Sequence, residues 1–284
     1  MSSRDSKAGA VGLGVITCNR PGFFGKCIQS IPRLDCIVVI NDGESYPTSA
    51  YPSTVSKVIQ HSRNRGIGVS KNEALRFLLA AGCEHLFLCE EDIRIKDPRI
   101  FQEYVDVSTA SKLPHLNFGL HGPANKNPDG SGAPRAIAVT PSGVKVAFYR
   151  YPVGAFSYYH KSVLLSVGFM DEFYKNFHEH VDHTVQMIKR KLHPPYGWFP
   201  DINQSDRFIE DLDPRLEHSS HRNPNWLFLA RNYGYFVYYT LKNGKRREAS
   251  SSEFLKDIST RELQLVSLHD PHYKKSPDYE GSPL

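Results

Sequence analysis

The chain has 284 residues, 40% apolar and 23% charged, with a formal net charge of +5. That is the composition of an ordinary soluble globular protein, long enough for one large domain or two small ones. It excludes several classes: no apolar run approaches the roughly 20 residues that span a bilayer, the opening MSSRDSKAGA has no secretory apolar core, and the cysteines lack the paired spacing of a disulfide framework or zinc knuckle.

The expected compartment is therefore cytoplasmic. The five cysteines are Cys18, Cys27, Cys36, Cys83 and Cys89; Cys36 and Cys89 lie in apolar runs and read as small buried hydrophobes. The mild positive charge permits an anionic partner without requiring one.

In chain order, residues 1–10 are polar and expected to be mobile. VGLGVITC (Val11 to Cys18) reads as a buried strand, followed by Asn19, Arg20 and Pro21, the proline suiting the first turn of a helix. FFGKCIQSI has helical spacing, CIVVIN (Cys36 to Asn41) is a second buried strand, and VSKVIQH a short third. Ser70 to Ala81 reads as an amphipathic helix and HLFLCE as a fourth strand. Continuous apolar strands alternating with helices predict an α/β layout with a parallel sheet covered on both faces.

The middle is looser: His121 to Pro134 is a Gly-, Pro- and Asn-rich loop or lid. A strand, a turn at Gly154 and a short helix ending near Gly168 follow. Val181, Val185, Ile188 and Leu192 then place a helix over His178 to Leu192, and His193 to Asp206 follows as a loop. WLFLARNYGYFVYYTLKNGK is aromatic and reads as strand-like around Gly234 and Asn243-Gly244, and residues 271–284 are expected to form a mobile tail.

The informative stretch is HLFLCEEDIRIKD, where an apolar strand ends in Glu90, Glu91 and Asp92. Three adjacent carboxylates repel one another. A hard divalent cation relieves this, and so does plain solvation at a strand end. In α/β sheets ligands bind beyond the carboxyl ends of the strands, and Thr17 to Arg20, Asn41-Asp42 and Glu90 to Asp92 are the polar clusters at those ends.

In this order the clusters resemble those of family-2-like glycosyltransferases with the GT-A (nucleotide-diphospho-sugar transferase) fold, of the compact bacterial or phage type. The motifs are TCNRP, NDGES, NRGIGVSKNEAL, the acidic triplet, VGAFSYYHKSVLLSVGFMDEF and FHEHVDHTVQ. The resemblance implies a Rossmann-like mixed central sheet flanked by helices, over a catalytic domain of residues 11–225. Within it, 11–97 would form the nucleotide-sugar half and 98–225 the acceptor half, with residues 226–270 as an acceptor-side C-terminal extension.

The implied reaction is metal-dependent transfer of a sugar from a nucleotide-diphosphate donor, commonly a UDP-sugar, to a glycan hydroxyl, with inversion. Thr17, Asn19, Arg20, Asp42, Asn64, Gly66, Lys71, Asn72, Glu90 and Glu91 would bind the donor. Asp92 would contact Mn2+ or Mg2+, with His218 and His221 as further ligands; Gly154, Asp171, Glu172 and Trp198 would face the acceptor, with His193 to Asp206 as an acceptor-side loop. Asn64, Asn72 and Lys71 also fit plain helix-start or surface residues.

For the base that deprotonates the acceptor, Glu179, Asp182 and His180 are the candidates. Glu179 holds the Glu position of the family's Glu-Asp pair, and His180 stands where the Asp is expected. Glu179 and Asp182, neighbours at i and i+3, are favoured over His180, which can itself act near neutral pH. Acids at a helix start also serve its dipole.

The basic runs Lys189-Arg190-Lys191 and Lys245-Arg246-Arg247 leave a DNA acceptor, a hydroxylated or hydroxymethylated pyrimidine, as an alternative to ordinary solvated surface. A non-catalytic nucleotide- or sugar-binding relative is the third reading.

Overall fold

The computed structural model describes residues 9–216, 226–245 and 247–269. The first third alternates β1 (Val11–Thr17), α1 (Pro21–Ser30), β2 (Cys36–Asn41), β3 (Lys57–Gln60), α2 (Ile67–Ala80) and β4 (His85–Glu90). Then come β5 (Ile93–Ile95), α3 (Ile100–Ser111), β6 (His115–Asn117), β7 (Ala136–Val139), β8 (Lys145–Tyr149), β9 (Phe156–His160), α4 (Lys161–Val167) and α5 (Glu179–Lys189). The rest comprises β10 (Phe199–Ile202), β11 (Ile209–Asp211), α6 (Trp226–Asn243), α7 (Ser251–Thr260) and β12 (Gln264–Leu268).

The central sheet runs β3-β2-β1-β4-β9-β6. Strands β1 to β4 pair in parallel, and β9 then enters antiparallel to both β4 and β6. The sheet is thus mixed, as the resemblance implies, rather than purely parallel as the first third alone suggests. Both faces are covered, so the strands are apolar throughout. Leu13, Val15, Ile37, Val39 and Phe87 share one core with α1 and α3. Ile16, Val38, Ile40, Leu86 and Leu88 share the other with α2, α4 and α5. Each large side chain so buried contributes about 1.5–3 kcal/mol, which holds the register that sets the strand ends level.

A second, antiparallel sheet has the order β10-β8-β7-β12. It takes part of the segment read from sequence as an acceptor loop: Phe199–Ile202 is strand β10, paired with β8. Helix α2 begins at Ile67, a turn earlier than its amphipathic spacing suggests, because Gly66 caps it at φ 96°. A side chain at Gly66 would also meet the Lys175 backbone at 2.7 Å.

The segment expected to be strand-like around Gly234 is instead the 18-residue helix α6. Its aromatic residues favour strands in isolation, but Tyr235 and Tyr239, at i and i+4, bury one helical face in a cluster with Tyr174 and Val181. Asn243 and Gly244 end it as a helix stop: Gly244 has φ 79° and donates its N–H to Thr240 O at 2.8 Å.

Candidate active site

The carboxyl ends of β1, β2 and β4 converge on a cavity of about 210 Å³ lined by Thr17, Cys18, Asp42, Asn64, Ile67 and Glu91, together with Lys175 and Asn176. Thr17, fully buried, hydrogen-bonds the Tyr46 hydroxyl at 2.9 Å. Asn19 adopts a left-handed backbone (φ 56°), and its Oδ1 accepts from Glu44 N–H at 2.7 Å. Asn64 donates to Cys18 Sγ at 3.3 Å.

Asp42 organises the approach to α2. Its carboxylate accepts from the N–H groups of Arg65 (2.7 Å) and Gly66 (2.8 Å) and pairs with His61 Nδ1 at 2.5 Å. The loop before α2 is thereby drawn against the β2 end, which is how Asn64 reaches the cavity.

The acidic triplet is compensated by two cations of the chain itself. Arg20 donates from Nε to Glu91 (2.7 Å) and from Nη2 to Asp92 (3.1 Å). Burial nevertheless pushes the Glu91 carboxyl up to about 7 against the pull of Arg20. Asp92 is also raised by burial, which the facing charge of His121 opposes. Its Oδ1 is buried with no hydrogen-bond partner among the described residues. An oxygen so placed suits a hard cation, whose other ligands would be phosphate oxygens and water. No group of three His, Cys, Asp or Glu that could hold a metal occurs among the described residues, and His218 and His221 lie outside them.

Lys71 is the second cation and is not a surface residue. Only 1% exposed, it reaches Glu90 Oε1 at 2.8 Å, Glu179 Oε1 at 2.9 Å and Gly154 O at 3.0 Å. Burial would strip its proton, but Glu179 and Glu90 hold it charged, well above the usual lysine range. Burial likewise works against the Glu179 charge, yet Lys71 and His180 keep that carboxyl well below the usual carboxylate range.

The three base candidates separate. Asp182 is buried, with its carboxylate taken by Lys242 Nζ (2.8 Å) and Asn243 Nδ2 (2.6 Å) of α6. Glu179 is buried against Lys71. His180 alone reaches solvent, its side chain 18% exposed, with Nδ1 3.2 Å from Glu179 Oε1. Gly154 makes room for it: a Cβ there would lie 2.8 Å from His180 Cγ and 3.2 Å from Lys71 Nζ. Of the three, only the candidate ranked last from sequence faces solvent, and the α6 contacts that occupy Asp182 come from far along the chain.

Several other expected residues are engaged in packing. Asn72 is buried on α2 and exchanges hydrogen bonds with the Met170 backbone (2.8 and 2.9 Å) and with Glu172 Oε1 (3.0 Å). Asp171 accepts from Tyr238 Oη and Lys242 Nζ, both at 2.8 Å, and so docks α6; Glu172 pairs with Arg76. Trp198 is core: fully buried, stacked on Phe254 with centroids 4.0 Å apart, and covered by Arg135 on the ring at 3.8 Å. It has no face left for an acceptor.

Sequence reasoning missed Lys175 and Asn176, which line the cavity because Ile67 N–H bonds Lys175 O at 2.9 Å. It also missed His121 and Asp211, 3.3 Å apart beside Asp92. None of these stands in a periodic or motif position.

This topology has relatives among solved structures. A mannosyltransferase from Pyrobaculum calidifontis, solved with GDP-Man and Mn2+, superposes with a TM-score of 0.57 at 15% identity, over 89% of this chain and 69% of its own. The fold is GT-A. Two further GT-A structures match less closely. GalNAc-T7, with UDP, GalNAc and Mn2+, has a TM-score of 0.47 at 13% identity, over 70% of this chain and 43% of its own. A glucosyl-3-phosphoglycerate synthase from Mycobacterium tuberculosis, with Mn2+ and UDP, has 0.43 at 12% identity, over 64% and 66%. No family model matches the chain, and no curated protein matches it in sequence. At these identities the likeness establishes the GT-A fold alone. No helix of the described residues is long and apolar enough to cross a membrane.

Proposed function

We propose that this chain is a metal-dependent glycosyltransferase that moves a sugar from a nucleotide-diphosphate donor, a UDP-sugar, to a hydroxyl of a glycan, with inversion. The observation that carries the reading is the cavity at the β1, β2 and β4 ends, lined by Glu91, whose chain neighbour Asp92 has a buried Oδ1 without a hydrogen-bond partner among the described residues. The mannosyltransferase of the same fold was solved with a sugar nucleotide and Mn2+, which supports it. Thr17, Asn64, Lys175 and Asn176 would surround the nucleoside. Asp92, with Glu90 or Glu91, would hold Mn2+ or Mg2+, which neutralises charge developing on the leaving diphosphate.

His180 is the acceptor base in this proposal. Glu179, held ionised by Lys71, can only accept a hydrogen bond. The nearby His180 Nδ1 must therefore carry the proton, which leaves Nε2 with a free lone pair for the acceptor hydroxyl. Glu179 orients the imidazole and stabilises it once charged, as the buried carboxylate does in Ser-His-Asp triads.

The basic run Lys189-Arg190-Lys191 follows the far end of α5 from His180, so it does not flank this site and lends no support to a DNA acceptor. The test is transfer from a panel of nucleotide sugars with Mn2+ to oligosaccharides and, in parallel, to DNA carrying hydroxymethylated pyrimidines. Labelled glycan with a UDP-sugar is the expected product; labelled DNA would replace the acceptor assignment, and no nucleotide release with any donor would refute the reaction.

A further inference from the structure

A second cavity, of about 320 Å³, opens at the opposite edge of the central sheet. His85, the first residue of β4, and His160, the last of β9, are register partners within it. From His85 to Glu90 the strand rises about 17 Å, so this cavity is separate from the donor side.

Its rim is built by two helix ends. Lys112 follows α3 and Lys191 follows α5, each in a left-handed backbone conformation (φ 58° and 60°) that stops the helix. Arg261, 9% exposed, ties the two ends together: Nη1 donates to Lys112 O at 3.4 Å and Nη2 to Lys191 O at 3.2 Å, while Asp257 Oδ2 holds Nε at 2.9 Å. Three permanent cations and two imidazoles line the cavity, and no Asp or Glu does.

The two helix C-termini supply together about one negative charge, and Asp257 supplies another. Lys112 pairs with Glu262 at the exposed rim, where solvent screens the pair. Lys191 has no acidic partner among the described residues. Lys191 is therefore the least compensated of the three cations at the cavity. Burial, and for His85 also the neighbouring His160, hold both imidazoles below the usual histidine range, against the opposing pull of Glu84. Tyr158 and Leu192 add apolar wall, and the volume falls in the usual range of small-molecule sites.

We propose that this cavity binds the phosphate group of a small phosphorylated organic molecule, with Lys112, Lys191 and Arg261 on the phosphate and the apolar wall against its carbon part. The bland alternative, that these cations only balance the two helix ends, predicts no ligand.

The test is calorimetric titration of the full chain with glycerol phosphate and with inorganic pyrophosphate at constant ionic strength. It is repeated on the Lys112→Gln/Lys191→Gln double variant, both side chains lying at the exposed rim. Saturable binding, weakened about tenfold or more in the double variant, which is about 1.4 kcal/mol, is the expected result. In parallel, backbone amide shifts of the unmodified protein during the same titration report the place of binding and need no variant. Movement at His85, His160 and Arg261 is expected. No saturable binding, or binding of unchanged strength in the double variant with shifts confined to the Asp92 side, would overturn the proposal. Neither readout depends on sugar transfer, so the outcome is independent of the reaction proposed above.

Discussion

Replacing Lys71 by Met removes the ammonium paired with Glu179 Oε1, and leaves a carboxylate that is 2% exposed with its Oε2 already lacking a partner among the described residues. Breaking one side of a buried ion pair costs about 3–5 kcal/mol. Glu90, with a quarter of its side chain exposed, can turn to water, so most of the cost falls on Glu179. Urea unfolding at pH 7 should show Lys71→Met destabilised by that amount, and Lys71→Met/Glu179→Gln should recover most of it, since the uncompensated charge is then gone.

The pH dependence follows from the direction of the Glu179 shift. In the parent its carboxyl titrates below the usual carboxylate range, so its contribution is complete at neutral pH and is lost only as strong acid protonates it. In Lys71→Met only His180 still opposes burial, so that carboxyl rises relative to the parent and the variant loses less stability than the parent as pH falls toward the ordinary carboxylate range. The stability gap between parent and variant should therefore narrow from pH 7 to pH 4. A gap below about 1 kcal/mol at pH 7, or one that widens on acidification, would refute the pairing of Lys71 with Glu179 as a buried ion pair.

His180→Ala should lower turnover about 100- to 10,000-fold while leaving nucleotide affinity, measured by calorimetry, unchanged; full activity would return the base role to a carboxylate. Asp92→Ala should abolish Mn2+ stimulation of donor turnover and weaken Mn2+ binding measured with nucleotide present, with the circular dichroism spectrum unchanged; retained metal dependence would remove Asp92 from the metal site. Trp198→Ala should cost about 3–5 kcal/mol in urea unfolding, and in the fraction that stays folded the acceptor KM should hold within about twofold; a selective KM rise with intact stability would put the ring back at the acceptor.

The central layers were legible because β1, β2 and β4 are apolar on both faces and separated by helix-spaced segments, a pattern set by burial alone. The ordered strand-end clusters gather at one end of the sheet for the same local reason. The chemistry of that end was less legible. Lys71 reads as a helix-start surface lysine, and only the approach of α5 and Gly154 turns it into a buried link between Glu90 and Glu179. Asp182 and Asp171 read as site acids, but α6 spends both on docking itself through Lys242. The aromatic run of α6 reads as strand until Tyr174 and Val181 supply a surface for one helical face.

The sequence by itself determined the alternating α/β core and the position of three acids at a strand end, since hydrophobic period and turn residues act within a few neighbours. Tertiary structure alone decided which carboxylate is neutralised by which cation, and which of the three neighbouring candidates reaches solvent. Charge pairing and burial depend on groups more than a hundred residues apart in the chain, as Lys71 and Glu179 are, and no local pattern encodes their distance.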